Sequence, residues 1–173
     1  MNNIDLKTIL EKHRLWLNNE DGGEMANLRG ANLRGADLCG ANLCGADLRG
    51  DNLCGAKCID SAKNLFYPLS CPEKGGYTGF KKANGKIVEI MIPVDAKRSS
   101  ATERKCRASK AVVISITTLD GDPSGNEVCS DHDKDFVYRV GETVEVQNFD
   151  ENRWNECAPG IHHYITREEA VRH

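Results

Sequence analysis

The sequence has no apolar run near the roughly eighteen residues that a membrane-spanning helix needs, and its mean hydropathy is -0.52. Its first residues, MNNIDLKTILEKHRLWL, lack the unbroken apolar centre of a secretory signal. A soluble, cytoplasmic protein without a membrane partner is therefore expected. An excess of either charge is missing too: 23 Lys and Arg face 26 Asp and Glu, a net of -3. That balance gives no polyanion-binding signal, and direct nucleic-acid binding is not expected. There is no paired C-x-x-C among the eight cysteines. With no export signal, free thiols are expected in place of a disulfide framework, and no metal or cofactor is called for.

What the sequence has is a period. From Ala26 it reads ANLRG ANLRG ADLCG ANLCG ADLRG DNLCG AKCID, seven five-residue units ending at Asp60. Five residues advance an α-helix by about 500°, so a leucine at every fifth place would drift around the cylinder, and a helix is excluded. Gly30, Gly35, Gly40, Gly45, Gly50 and Gly55 fall in phase. Glycine tolerates the positive φ of a type II turn, so the backbone turns a corner in each unit.

These units resemble the pentapeptide-repeat family, whose A-(D/N)-L-x-x pattern builds a right-handed quadrilateral β-helix with four units to a coil. The resemblance implies that Leu28, Leu33, Leu38, Leu43, Leu48 and Leu53 point inward, with Cys58 in the leucine place of the last unit. It also puts Cys39, Cys44 and Cys54 outward on different faces. At the ~4.8 Å spacing of stacked strands such a solenoid is only roughly 8 Å long and needs caps at both ends. Leu6, Ile9, Leu10, His13 and Leu17 recur at helical spacing, which predicts a capping helix over 4–18, with His13 in a packing or capping role. Leu65, Phe66, Tyr67 and Leu69 supply the second cap.

Beyond residue 76 the period is gone and apolar and polar residues alternate. Asn84-Gly85 between YTGFKKA and KIVEIMIPV predicts a hairpin with a type I′ turn. Further strands are expected at 110–118, 136–140, 143–147 and 161–165, then a helix capped by Thr166 in a T-R-E-E capping box. The fold class expected is mainly β with α: capping helix 1–25, repeats 26–60, cap and linker 61–76, and an antiparallel α+β domain 77–173. The segments FKKANGKIVEIMIPVDAKRSSAT, RKCRASKAVV, FVYRVGETVEV and NECAPGIHHYITREEA resemble an uncharacterised domain that follows short pentapeptide repeats in bacterial and phage proteins. That resemblance supplies no activity.

Residues 97–110 carry the best ligand signal. Lys97, Arg98, Arg104, Lys105, Arg107 and Lys110 oppose Glu103, with Ser99, Ser100 and Ser109 among them. Guanidinium forks and hydroxyls together suit a phosphate. The competing reading pairs these cations with the acids of 120–135. Trp154 and His162, beside the Pro159-Gly160 turn, add a ring and an imidazole to the anion candidate. The same acidic stretch has a weak EF-hand-like spacing, but its flanks predict strands, so a hairpin loop is expected. A zinc set from Cys106, Cys129, His132, Cys157 and His162 lacks the paired spacing such sites use. Cys106 or Cys157 with His162 has no third orienting group for a catalytic thiolate.

Three functions follow. The first is a non-enzymatic binding protein, in which the repeats form a rigid or homo-oligomerising scaffold and the C-terminal domain binds a protein partner or a phosphorylated ligand. One version is a phage host-defence antagonist that sequesters a nucleotide. The second is DNA mimicry, as in the pentapeptide-repeat proteins that protect gyrase; but residues 1–60 hold nine acids and seven bases, and the solenoid spans a quarter of a ~34 Å duplex turn. The third is an enzyme using cysteine and histidine.

Overall fold

The computed structural model describes residues 3–59 and 68–173. The fold is mainly β, with an N-terminal helix and antiparallel sheets. The chain divides into two compact units: Met1–Pro68 with Ala101–Glu103 and Trp154–Cys157, and Leu69–Ser100 with Arg104–Arg153 and Ala158–His173. The cut falls inside the segment 61–76 read as cap and linker, and two short segments of the later half belong to the first unit. Of the predicted second cap, Leu65, Phe66 and Tyr67 lie outside the described residues.

In the first unit, α1 (Asn3–Leu17) buries Leu6 and His13 on one stripe, as the spacing predicts. Asn19 ends it at φ 55°, and Gly23 follows where a Cβ would stand 2.3 Å from the Trp16 backbone nitrogen. The His13 Nδ1 accepts the Ala26 N–H at 3.1 Å, so this buried ring caps the first repeat.

Every position of the repeat has a mechanical reason. The second residue, Asn or Asp, accepts the amide two residues on, as Asn27 does from Arg29 at 3.2 Å and Asp37 from Cys39 at 3.0 Å. The leucine carbonyl then accepts the amide three residues on, Leu28 from Ala31 at 2.8 Å, while Gly30 sits at φ 70°. That is a type II turn with glycine in its required place. Parallel bridges join Asn27 to Asp47, Asn32 to Asn52 and Asp37 to Lys57, each twenty residues apart in sequence. Leu28, Leu33, Leu38, Leu43, Leu48 and Leu53 are all buried in one cluster.

The seventh unit departs from expectation. Lys57 has no side-chain oxygen to accept the turn amide, and the next residue, Cys58, goes left-handed at φ 58°. Cys58 is therefore exposed, and Ile59, at 3% exposure, takes the inward place assigned to it. Cys58 also forms a disulfide with Cys39, Cα to Cα 4.8 Å, which corrects the expectation of eight free thiols. The two cysteines are 19 residues apart, close to the twenty-residue span of the parallel bridges.

The second unit starts with the predicted hairpin: β1 (Tyr77–Ala83) and β2 (Lys86–Ile92) around Asn84 and Gly85 at φ 45° and 73°. β5 (Lys110–Thr117) and β8 (Thr143–Glu145) complete a sheet in the order β1-β2-β5-β8. A second sheet, β3-β4-β9, contains β3 (Arg98–Ser100), β4 (Cys106–Ala108) and β9 (Ile161–His163). β6 (Glu127–Cys129) pairs with β7 (Val137–Arg139), so the acidic stretch lies in a hairpin, and its flanks are strands as expected. Val88, Ile90, Ile92, Val113, Ile116, Tyr138 and Ile161 make the core. α2 (Arg167–Arg172) begins at Thr166 with both bonds of the capping box in place.

Candidate functional site

The basic segment folds as a hairpin that sequence patterning did not show. β3 and β4 pair Arg98 with Ala108, Ser99 with Arg107 and Ser100 with Cys106. Most of the candidate anion ligands are engaged within the fold. Arg98 donates to the carbonyls of Gly75 at 2.7 Å and Pro93 at 3.0 Å. Arg107, only 2% exposed, donates to the carbonyls of Asp150 at 3.0 Å, Pro159 at 3.1 Å and Asn152 at 2.9 Å. A fork buried this way clamps three loop carbonyls together. Arg104 pairs with Glu169 at 2.7 Å, Lys110 with Asp95 at 2.5 Å, and Lys97 with Glu151. The acids of these pairs come from outside 120–135, so the competing pairing is corrected as well.

Two of the three hydroxyls are engaged too. Ser100 Oγ accepts the Ser70 amide at 2.7 Å, and Ser109 Oγ accepts the Lys97 amide at 3.0 Å. Ser99 is buried, and its Oγ has no hydrogen-bond partner among the described residues. Trp154 is not presented to a ligand: it is 5% exposed within the apolar cluster of the first unit, where its large ring finds more stabilisation than at a surface.

What stays together is a smaller set. His162 on β9 lies across from Arg107 on β4, and its Nε2–H donates to the Ala158 carbonyl at 3.0 Å. Burial, with the charges of Lys105, Lys81 and Arg107 added to it, lowers its pKa to about 4, so the ring is neutral at physiological pH. Lys81 stands over the Tyr138 ring at 6.0 Å, and burial lowers its pKa although Asp131 opposes this. Among the described residues no ion pair engages Lys105. Lys81, in a strand read only as half of a hairpin, had no sequence signal beyond its charge.

A second cluster, of thiols, was also missed. Cys106 lies across from His163, not His162, in the β4–β9 register. His163 is fully buried; its Nδ1–H donates to the Ile161 carbonyl at 2.9 Å, leaving Nε2 to accept from the Tyr77 hydroxyl at 3.0 Å. Burial lowers the His163 pKa to about 4. Cys71 hydrogen-bonds to both Cys106 and Tyr77, and Arg98 stacks 5.2 Å over the Tyr77 ring. These contacts, opposed by burial, lower the Cys71 pKa to about 7, while the bond to Cys71 and burial together push that of Cys106 upward.

Elsewhere in the first unit a cleft of about 290 Å³ lies between Lys7, Leu10, Glu11 and Arg14 on α1 and residues 37–42, but Glu11 occupies the Arg14 guanidinium at 2.9 Å. Among the described residues, no three His, Cys, Asp or Glu side chains converge as metal ligands, and no helix is long and apolar enough to cross a membrane.

This architecture, a five-residue repeat followed by a small antiparallel domain, has counterparts among known families. The model for pentapeptide repeats (8 copies) matches residues 26–57. A second model, described as a family of unknown function (DUF5758), matches residues 67–170, more than half of the chain, and the protein belongs to that family. No curated protein and no solved structure matches it.

Proposed function

We propose that the protein is a non-enzymatic interaction protein in which the repeats form a scaffold and the DUF5758 domain binds an anionic group, phosphate or carboxylate, at Lys81 and Lys105, beside His162. A repeat unit and a domain of this kind fit an interaction protein. The observation that carries the site is the register that sets His162 across from Arg107, two residues from Lys105; after burial, the charges of Lys105, Lys81 and Arg107 all lower the pKa of that ring. Like charges gathered at a half-buried point favour an anion, because its arrival relieves both their repulsion and their desolvation. The phosphorylated ligand of the sequence reading is retained, but its contacts shift from the arginines of 97–110, which hold the fold, to the two lysines beside His162.

For the repeats we infer the right-handed quadrilateral β-helix of the pentapeptide family. Support comes from the bridges between residues twenty apart and from the buried leucine of every unit through Leu53. Turns fixed by both a glycine and an Asx bond make such a stack stiff, which suits a scaffold.

The test is a thermal-shift panel of nucleotides, phosphorylated sugars and acidic peptides, with sodium sulfate as the control for ionic strength. Stabilisation by one phosphorylated or carboxylate class beyond sulfate supports the reading. A panel without any such shift contradicts it.

A further inference from the structure

We propose that Cys71 is a site of oxidation by small hydroperoxides, with Cys106 as the thiol that resolves it into a disulfide. The inference is independent of the anion site and uses none of its lysines. Its ground is placement. Ser70, the neighbour of Cys71, is bonded through its amide to Ser100 Oγ at 2.7 Å, and Ser100 is the β3 partner of Cys106. On the other side of Cys106, His163 is its β9 partner and is bonded to the Tyr77 hydroxyl at 3.0 Å. Two thiols are thus held in hydrogen-bonding contact among a phenol, an imidazole and the Arg98 guanidinium.

The two sulfurs are not equivalent. Cys71 is hydrogen-bonded to Cys106, with the Tyr77 hydroxyl and Arg98 nearby, and its pKa of about 7 keeps a large thiolate fraction at neutral pH. Cys106 is fully buried, and the Cys71 charge keeps it protonated. A thiolate beside a protonated thiol is the arrangement in which one sulfur attacks and the other resolves. Cys71 lies in a stretch, 68–76, without helix or strand, where local opening admits a molecule as small as hydrogen peroxide.

The chemistry balances with the peroxide as two-electron oxidant. The Cys71 thiolate attacks one peroxide oxygen, the O–O bond breaks, and the distal oxygen leaves as hydroxide and takes a proton from solvent to become water, giving a sulfenic acid. The Cys106 sulfur then attacks the Cys71 sulfur, the S–O bond breaks, and the Cys106 proton leaves with the hydroxyl as a second water. An external dithiol reverses the bond by exchange and is itself oxidised.

The experiment treats the full chain with hydrogen peroxide, alkylates the remaining thiols and maps disulfides by mass spectrometry, so that the Cys39–Cys58 bridge is read separately. The expected result is a peptide pair joined through Cys71 and Cys106, reopened by dithiothreitol. In Cys106→Ala, dimedone is expected to label Cys71 at least tenfold above the exposed Cys44 and Cys157. Oxidation of Cys44 or Cys157 while Cys71 and Cys106 of the wild-type chain stay reduced would overturn the proposal, whatever the stability of the variant. So would bridging of Cys71 to any other cysteine.

Discussion

Gly79 faces His163 so closely that a Cβ at position 79 would stand 2.7 Å from the imidazole Cδ2 and 3.1 Å from the Tyr164 carbonyl oxygen. The reason for the glycine is packing, because the ring that bonds Tyr77 fills the space where a side chain would be. Gly79→Ala is expected to displace His163, break its bond to Tyr77 and destabilise the second unit by about 2–4 kcal/mol. A melting curve within 1 °C of wild type would show that the ring has room to move.

Asp51 stands where the six other units have alanine, and it is fully buried with Oδ1 accepting the Ala31 amide at 2.8 Å. Burial raises its pKa to about 6. The folded state therefore binds more protons than the unfolded state between about pH 4 and 6, and the first unit loses stability as pH rises through that window. Asp51→Asn is expected to stabilise it by on the order of 1–3 kcal/mol at pH 7.5, with the gain vanishing near pH 4. Calorimetry at the two pH values checks this; an equal gain at both would remove titration as the cause.

Arg107 and Arg104 look alike in the sequence and differ in the fold. Arg107→Ala releases three loop carbonyls and is expected to cost about 3 kcal/mol or more. Arg104→Ala removes an exposed pair with Glu169 and is expected to cost below about 1 kcal/mol. Denaturant titration of the two variants measures the difference, and equal costs would contradict the buried clamp.

The last repeat offers a register test. Ile59→Asp is expected to collapse the end of the stack, as Leu33→Asp does its interior, by several kcal/mol. Cys58→Ser removes only the disulfide, whose partners are 19 residues apart in sequence, at about 3 kcal/mol in oxidised protein and close to zero in dithiothreitol. A reducing-buffer melt in which Cys58→Ser falls as far as Ile59→Asp would return Cys58 to the core.

The repeat was legible because each of its positions has one local job: Asn27 caps its turn, Gly30 makes it and Leu28 fills the inside. The β1–β2 hairpin was legible for the same reason, through Asn84-Gly85. What the sequence hid depends on partners distant along the chain. β3 and β4 are three residues each, too short for an alternation to register. Arg107 is charged yet buried, since Asp150, Asn152 and Pro159 bring their carbonyls to it. The pairing of Cys106 with His162, weighed and set aside for a catalytic thiolate, differs by one residue from the register, in which His163 is the partner, and one residue in a strand is the opposite face.

The interaction reading stands or falls on Lys81 and Lys105. Isothermal titration should use the strongest stabiliser from the ligand panel against the wild type, Lys81→Gln/Lys105→Gln and Arg104→Gln, at low and high salt. The account predicts at least a tenfold loss of affinity in the double variant, little change in Arg104→Gln, and weaker wild-type binding at high salt. Undiminished affinity in the double variant, with its fold intact, would contradict it.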